Sequence, residues 1–210
     1  MFDSIIFDLD GTLWDTTHIG AKVWSDAALK RGIKANISAD QLKSLYGLPT
    51  EMIAKKLFPL IAEETAFEIM RESNKQQCLY LEKDGGILFP GVKETLKELK
   101  KKFPIFIVSN CQEGYIQSFI KSNKLEAYFD DFEYPGRTGL SKADNIRLII
   151  ERNHLKNPIY VGDTSADSLA CQQAGIPFIF AKYGFGNTQS YEYAIDSLTD
   201  LVDLLLGKTI

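Results

Sequence analysis

The chain alternates between short, dense apolar runs and longer stretches whose apolar residues recur at helical spacing. Ile5-Ile6-Phe7, Ile105-Phe106-Ile107-Val108 and Ile159-Tyr160-Val161 are β-branched or aromatic, and each stops at polar residues. A strand that is apolar on both sides has no face to give to water, so these runs predict strands buried within a parallel sheet. Phe178-Ile179-Phe180, arriving after Gly175-Ile176-Pro177, predicts a fourth. Between the runs, Val92, Leu96 and Leu99 share one helical face in a segment entered through Pro90-Gly91, which predicts a helix over 92–102. Residues 116–123, 142–153 and 165–174 read as helices as well. Strands alternating with helices predict the α/β class, an open parallel sheet joined by right-handed crossovers.

One region breaks this alternation. From about Asp15 to Gly86 the periodicity is helical and strand signal is weak. Ala21, Val23, Trp24, Ala28 and Leu29 are expected on one face, and residues 61–81 predict a long helix closed by Asp84-Gly85-Gly86. The α/β pattern resumes near Ile87. The expected organisation is therefore a core made of residues 1–14 and 87–210, with a small helical cap, residues 15–86, inserted after the first strand.

In open α/β sheets, ligands bind beyond the carboxyl ends of the strands. The first strand runs into Asp8-Leu9-Asp10-Gly11-Thr12, the second into Ser109-Asn110, and the third into Gly162-Asp163-Thr164 with Asp167 shortly after. Lys142 opens the helix that leads into the third strand. Convergence of these groups suits phosphoryl transfer. A carboxylate approaches a phosphate dianion only if a cation compensates the charge, and clustered carboxylates suit a hard ion such as Mg²⁺. Asp8 is then the expected nucleophile. Lys142, the Ser109 hydroxyl and backbone amides at helix N-termini are the expected holders of the phosphoryl oxygens. Asp10 lies two residues further on, so in an extended segment its carboxyl shares a face with that of Asp8 and can exchange protons with the leaving oxygen and with water.

Charge narrows the partners. The formal net charge is -4 and the pI about 5.3, so the basic footprint of a nucleic-acid binder is missing. Lys100-Lys101-Lys102 reads as the solvated end of a helix. Cys78, Cys111 and Cys171 match no zinc spacing, and an odd number of thiols suits a reducing compartment. The start Met1-Phe2-Asp3 has no basic leader, and no apolar stretch approaches the ~20 residues that span a bilayer. The expectation is a cytoplasmic protein without membrane or nucleic-acid partners.

Taken singly, the motifs have plainer readings. Asp10-Gly11 makes a turn, Ser109-Asn110 and Asp163-Thr164 with Asp167 make helix caps, and Lys142 makes a solvated helix residue. In their order and strand-end placement, however, they resemble the four motifs of the haloacid dehalogenase-like (HAD) hydrolase superfamily. Phe89-Pro90-Gly91-Val92 and Tyr46-Gly47-Leu48-Pro49 look like its phosphoglycolate phosphatase-like branch.

The resemblance implies a Rossmann-like core with a helical cap. It also implies a Mg²⁺-dependent phosphatase that forms a phosphoaspartate and acts on a small phosphorylated metabolite such as phosphoglycolate or a sugar phosphate, as a monomer or homodimer. Residue by residue, it makes Asp8 nucleophile and metal ligand. Asp10 becomes acid/base, with its carbonyl a further ligand. Gly11 and Thr12 bind substrate at the start of a turn and flap, Gly11 to Thr17, that ties cap movement to the site, Ser109 and Asn110 bind phosphate, and Lys142 holds phosphate and Asp8. Asp163 ligates the metal, and Asp167 ligates it or orders its waters. Two positions depart from the family pattern: Ala143 follows Lys142 where many relatives carry proline, and Cys111 follows Asn110 where lysine or glycine is common.

A sugar phosphomutase, an inorganic pyrophosphatase and a non-catalytic phospho-sensor share parts of this constellation. A metal-free dehalogenase typically lacks the second aspartate, which is present here as Asp10. His18, His154, Trp14 and Trp24 read as structural, while Tyr46, Leu48 and Pro49 in the cap either meet the substrate or pack within their own loop.

Overall fold

The computed structural model describes residues 2–207. In chain order the elements are β1 (Ser4–Phe7), β2 (Trp14–Asp15), α1 (Thr17–Lys30), α2 (Ala39–Lys43), α3 (Thr50–Leu57), α4 (Glu63–Asp84), β3 (Ile87–Leu88), α5 (Val92–Leu99) and β4 (Ile105–Val108). There follow α6 (Tyr115–Asn123), β5 (Asp131–Glu133), α7 (Pro135–Thr138), α8 (Lys142–Arg152), β6 (Pro158–Gly162), α9 (Ser165–Ala174), β7 (Phe178–Ala181), β8 (Tyr193–Ile195) and α10 (Asp200–Leu206). Six strands form one sheet in the order β5-β4-β1-β6-β7-β8, every pair parallel.

Side chains alternate across a strand, and the apolar runs use both sides. Ile5, Phe7, Ile105, Ile107, Ile159 and Val161 pack on one face with Val92, Leu96, Leu99, Ile116 and Phe119 of α5 and α6. Ile6, Phe106, Val108 and Tyr160 pack on the other with Ile146, Ile149, Ala170 and Cys171 of α8 and α9. This is the α/β parallel sheet expected from the runs. β1 lies at its centre, paired through Ile5 to both Ile105 and Ile159, so the carboxyl end of β1 is flanked by those of β4 and β6.

Helices α1 to α4 form a cap with its own apolar centre, including Trp24, Ala28, Leu42, Tyr46, Ile53, Ile69 and Met70. Leu29, expected on the buried face of α1, is 61% exposed instead. Ala28 immediately before it is fully buried, and adjacent helical residues point about 100° apart. The long cap helix runs from Glu63 to Asp84 and ends where Gly85 takes a positive φ of 69°. The chain enters the cap through β2 and leaves it through β3, and these pair antiparallel, Trp14 with Leu88 and Asp15 with Ile87. At two residues apiece, these strands are too short to leave a periodic signal.

The edge strands β5 and β8 were also invisible as apolar runs. β5 reads Asp-Phe-Glu and is held by Arg152, which pairs with Asp131 and Glu133, and by Arg137, which pairs with Glu133. Helix α5 closes at Leu99, three residues short of the expected end, and the chain turns through Lys100 to Lys102. Among the described residues no helix is long and apolar enough to cross a membrane.

Candidate active site

Asp8 follows the last residue of β1 and is buried between its neighbours, its amide donating to the Val161 carbonyl at 2.8 Å. Lys142 opens α8, whose N-cap Ser141 accepts from the Asp144 amide. The buried Lys142 ammonium donates to Asp8 Oδ1 at 2.7 Å and also to Asp167 Oδ1. Its Nζ lies 5.5 Å above the ring centre of Tyr160. The plain reading of Lys142 as a solvated residue is thereby excluded.

Asp8, Asp163 and Asp167 are all buried, and each offers a carboxylate oxygen within 4.8 Å of the others. Burial raises the pKa of Asp8 to about 6 in spite of the opposing charge of Lys142. Burial, then repulsion from Asp167 and Asp8, raises Asp163 well above the ordinary carboxylate value. Burial works against the Lys142 ammonium, but Asp167 and Asp8 outweigh it and its pKa is raised. One ammonium thus faces three carboxylates in a medium where like charges repel strongly. The donors are all hard oxygens. A small divalent cation fits this set on both charge and chemistry.

Asp167 has two jobs, one for each oxygen. Its Oδ2 accepts from the Thr164 amide at 2.9 Å and from the Thr164 hydroxyl at 2.6 Å, closing a capping box at the start of α9. Its Oδ1 is left for Lys142. The cap fixes the rotamer that the cluster uses.

Asp163 is enclosed more tightly than the sequence suggested. The amides of Phe185 and Gly186 donate to its Oδ2 at 2.7 and 3.2 Å, and Thr12 Oγ1 donates to Oδ1 at 3.5 Å. Gly11 has φ +79°, and a Cβ there would lie 2.2 Å from Asp163 Oδ2. A Cβ at Gly184 would lie 2.2 Å from Asp163 Cβ. The loop after β7 was not anticipated. Its only signal, glycines at 184 and 186, acquires meaning once β7 is seen beside β6.

The Asp10 side chain stands outside the three-carboxylate cluster. Its Oδ1 accepts from the Tyr115 hydroxyl at 2.7 Å and from Thr16 Oγ1 at 3.3 Å. Burial raises its pKa to about 8, with the Tyr115 hydrogen bond pulling the other way. Thr16 Oγ1 is 2.5 Å from the Tyr115 hydroxyl and 3.4 Å from that of Tyr46. Gln77 of α4 donates to the Tyr46 hydroxyl at 3.2 Å, and Gln112 donates to Gln77 at 3.3 Å. A continuous polar chain therefore runs from Asp10 into the cap. It places Tyr46 in a hydrogen-bonded link, and it involves Tyr115, Thr16 and Gln77, which sequence reasoning did not single out.

Tyr115→Phe should lower kcat roughly 10–100-fold, since a hydrogen bond to a carboxylate is worth ~1.5–3 kcal/mol. KM should change little, because Tyr115 hydrogen-bonds to Asp10 and is expected to act through it. Steady-state kinetics check this split; a rise in KM at constant kcat would refute it.

Ser109 is buried at the end of β4 and gives Asp8 a further side-chain hydrogen bond. Asn110 donates its amide to the Gly47 carbonyl at 2.9 Å, which ties the second motif to the cap loop. Asn110, Cys111, Ser141 and Lys142 line one side of a cavity of about 880 Å³. Pro49, Thr50, Met70, Arg71 and Asn74 line it from the cap. His18 and His154 are exposed and line no part of it, and Trp14 packs edge-on against Tyr115 and Phe119.

Residues 5–181 match the family model of haloacid dehalogenase-like hydrolases. A phosphoglycolate phosphatase of Rhodobacter capsulatus is 28% identical over 194 residues, which cover 90% of this chain and 88% of that protein. A haloacid dehalogenase-like family hydrolase from Streptococcus pneumoniae superposes with a TM-score of 0.82 at 23% identity, covering 97% of this chain and 98% of that one. CbbY from Rhodobacter sphaeroides, determined in complex with xylulose-1,5-bisphosphate, superposes with a TM-score of 0.82 at 14% identity, covering 96% of each chain. Likeness at such identities speaks to the fold.

Proposed function

The chain belongs to the haloacid dehalogenase-like hydrolase family and is a phosphatase, and on that premise we propose that it hydrolyses small phosphate monoesters with Mg²⁺, through a phosphoryl group carried on Asp8. The observation that carries this reading is Lys142, buried at the cavity wall and bridging Asp8 to Asp167 within the carboxylate cluster. Asp8, Asp163 and Asp167, with the backbone carbonyl of Asp10, would hold the cation. When bound, Mg²⁺ supplies charge compensation for the phosphate and for the developing negative charge.

The rest of the chemistry falls to the chain. Lys142 and the Ser109 hydroxyl hold non-bridging phosphoryl oxygens against the approach of Asp8. The Asp8 carboxylate forms a bond to phosphorus as the ester P–O bond breaks. Asp10, whose raised pKa favours the protonated carboxyl, gives a proton to the leaving alcohol oxygen. It then takes a proton from the water that attacks phosphoryl-Asp8, which frees inorganic phosphate and restores both carboxyl groups. Tyr115 and Thr16 keep the Asp10 carboxyl aimed during both steps.

The cap, residues 15–86, would close over this site and exclude water, its position sensed at Asp10 through Tyr46 and Gln77. Phosphoglycolate and sugar phosphates are the proposed substrate class, supported by the names borne by the relatives. Sugar phosphomutase and pyrophosphatase chemistry would use the same floor residues.

Phosphate release from a panel of small esters and pyrophosphate, with Mg²⁺ and with EDTA, tests the reading. Metal-dependent release from esters is expected. Isomer accumulation without free phosphate would make the protein a mutase, and release unaffected by EDTA would overturn the metal assignment. Mg²⁺ at 100 times its dissociation constant should add about 2.7 kcal/mol to stability. For a chain of this size that corresponds to roughly 5–10 °C in melting temperature. Asp163→Asn should abolish most of that shift.

A further inference from the structure

The loop after β7 carries one side chain between two glycines, Gly184-Phe185-Gly186. The glycines let the backbone come against Asp163, and a Cβ at Gly186 would lie 2.7 Å from the Asp163 carbonyl oxygen. Neither glycine has a side chain with which to anchor the segment, and glycine backbone costs most to order. On one side Tyr183 fixes the loop, donating its hydroxyl to the Thr12 carbonyl at 2.8 Å. On the other, the Phe185 ring is left to place the amides of Phe185 and Gly186 that hold Asp163 Oδ2.

That ring meets both bodies of the protein. On the core it meets Phe89, which follows β3 where the chain leaves the cap, with ring centres 6.1 Å apart. On the cap it meets Tyr46 at 6.3 Å and packs against the apolar cluster at the cap's centre. Phe185 thus touches the cap with its ring and Asp163 with its amide. The next cap residue makes a parallel contact. Gly47 has φ +90°, and a Cβ there would lie 3.1 Å from Thr164 Cγ2. Thr164 in turn holds Asp167 Oδ2 through its amide and hydroxyl. One cap turn, Tyr46-Gly47, therefore rests on the residues that orient two carboxylates of the cluster.

A cation site binds tightly when its carboxylates are held in place by partners of their own. Where such a partner is shared with a second body, docking of that body and binding of the cation favour each other by the same free energy. Resting on the Mg²⁺ reading above, we propose that Phe185 is a positioning residue through which the docked cap tightens the hold of Asp163 on the cation. Lifting the cap takes Tyr46 from the ring, loosens residues 184–186 and weakens two hydrogen bonds to Asp163. The cation is then held best when the site is closed.

Calorimetric titration of Mg²⁺ into the native protein, Phe185→Ala, Phe185→Tyr, Tyr46→Leu and Tyr46→Phe tests this, each well below its melting temperature. Phe185→Ala should raise the dissociation constant roughly 10-fold, the lower end of what losing a ligand's partner costs. Phe185→Tyr keeps the ring and should bind as the native protein does. Tyr46→Leu should weaken Mg²⁺ although Tyr46 touches none of Asp8, Asp163 and Asp167, whereas Tyr46→Phe should not. Combining Phe185→Ala with Tyr46→Leu should weaken binding no further than Phe185→Ala alone, because both remove one link. A ring that only supports the fold would lower the melting temperature and leave the dissociation constant of the folded protein unchanged. That result, or losses that multiply in the double variant, would overturn the proposal. The native protein gives a test that needs no variant: Mg²⁺ should slow amide hydrogen exchange across residues 45–48, and exchange indifferent to Mg²⁺ would refute the link. A native protein that binds no Mg²⁺ would overturn the metal reading and this link with it, while native binding with unaltered variants overturns the link alone.

Discussion

Asp8→Asn is expected to lower turnover roughly 10⁴–10⁶-fold while leaving the fold intact. The amide has nearly the same shape, so the close packing at the end of β1 is preserved. It carries no negative charge, and its oxygen is a poor nucleophile toward phosphorus. The electrostatics of the cluster predict that stability survives. Burial raises the pKa of Asp8 to about 6, so its ionised form is disfavoured in the folded protein, and a neutral amide removes that penalty. Lys142 keeps Asp167 as a partner, so no ammonium is left buried and unpaired. In the cation-free protein the melting temperature should fall by no more than about 4 °C, or should rise. Phosphate release under saturating ester and Mg²⁺, together with a melting curve, reads both halves. Substantial remaining turnover would remove Asp8 from the role of nucleophile. Acid-quenched native enzyme should carry an acyl phosphate that the variant lacks.

The second large effect is expected at Asp10. Asp10→Asn should reduce kcat by about 10²–10⁴-fold, the usual contribution of a placed general acid/base. The two roles proposed for it separate when the leaving group is changed. An alkyl ester needs a proton on its departing oxygen, so with such an ester the first step fails and Asp8 stays unmodified. p-Nitrophenolate leaves with little help, so with that ester Asp8 is phosphorylated and the missing base shows itself in the second step. Rapid mixing should give a burst of p-nitrophenolate followed by a slow phase, with phosphoryl-Asp8 accumulating. A uniform fall in rate with both esters and no accumulation would mean that Asp10 shapes the site without handling protons. The Tyr115 and Thr16 hydroxyls on Asp10 Oδ1 can bind an amide oxygen equally well, so the side chain should keep its position in the variant.

The candidate site groups were legible in the sequence because they are anchored to features that periodicity reveals. Asp8, Ser109 and Asp163 each end or follow an apolar run, and a run apolar on both faces fixes a strand in a parallel sheet. Once β1, β4 and β6 are neighbours, their carboxyl ends must converge. Lys142 and Asp167 follow from helix starts, a position that local capping chemistry marks. The capping reading of Asp167 leaves room for the proposed one, since one oxygen closes the capping box while the other meets Lys142.

Other parts had no local mark. Tyr115 lies 105 residues from Asp10 and 99 from Thr16, so nothing near any of the three betrays their contact. The amides of Phe185 and Gly186 reach Asp163 only because β7 pairs with β6. The edge strands β5 and β8 are short and partly polar, and they are strands because a sheet edge is there to receive them. The exposure of Leu29 depends on how α1 is rotated about its axis, which the packing of the cap sets and the helical period alone does not. The sequence by itself therefore determined the sheet, the insertion of helices after its first strand, and the charged groups at the strand ends, because each is written in residues close together along the chain. Only the tertiary structure decided what hydrogen-bonds Asp10, what encloses Asp163 and what links Asp10 to the cap, because those depend on contacts between segments far apart in sequence.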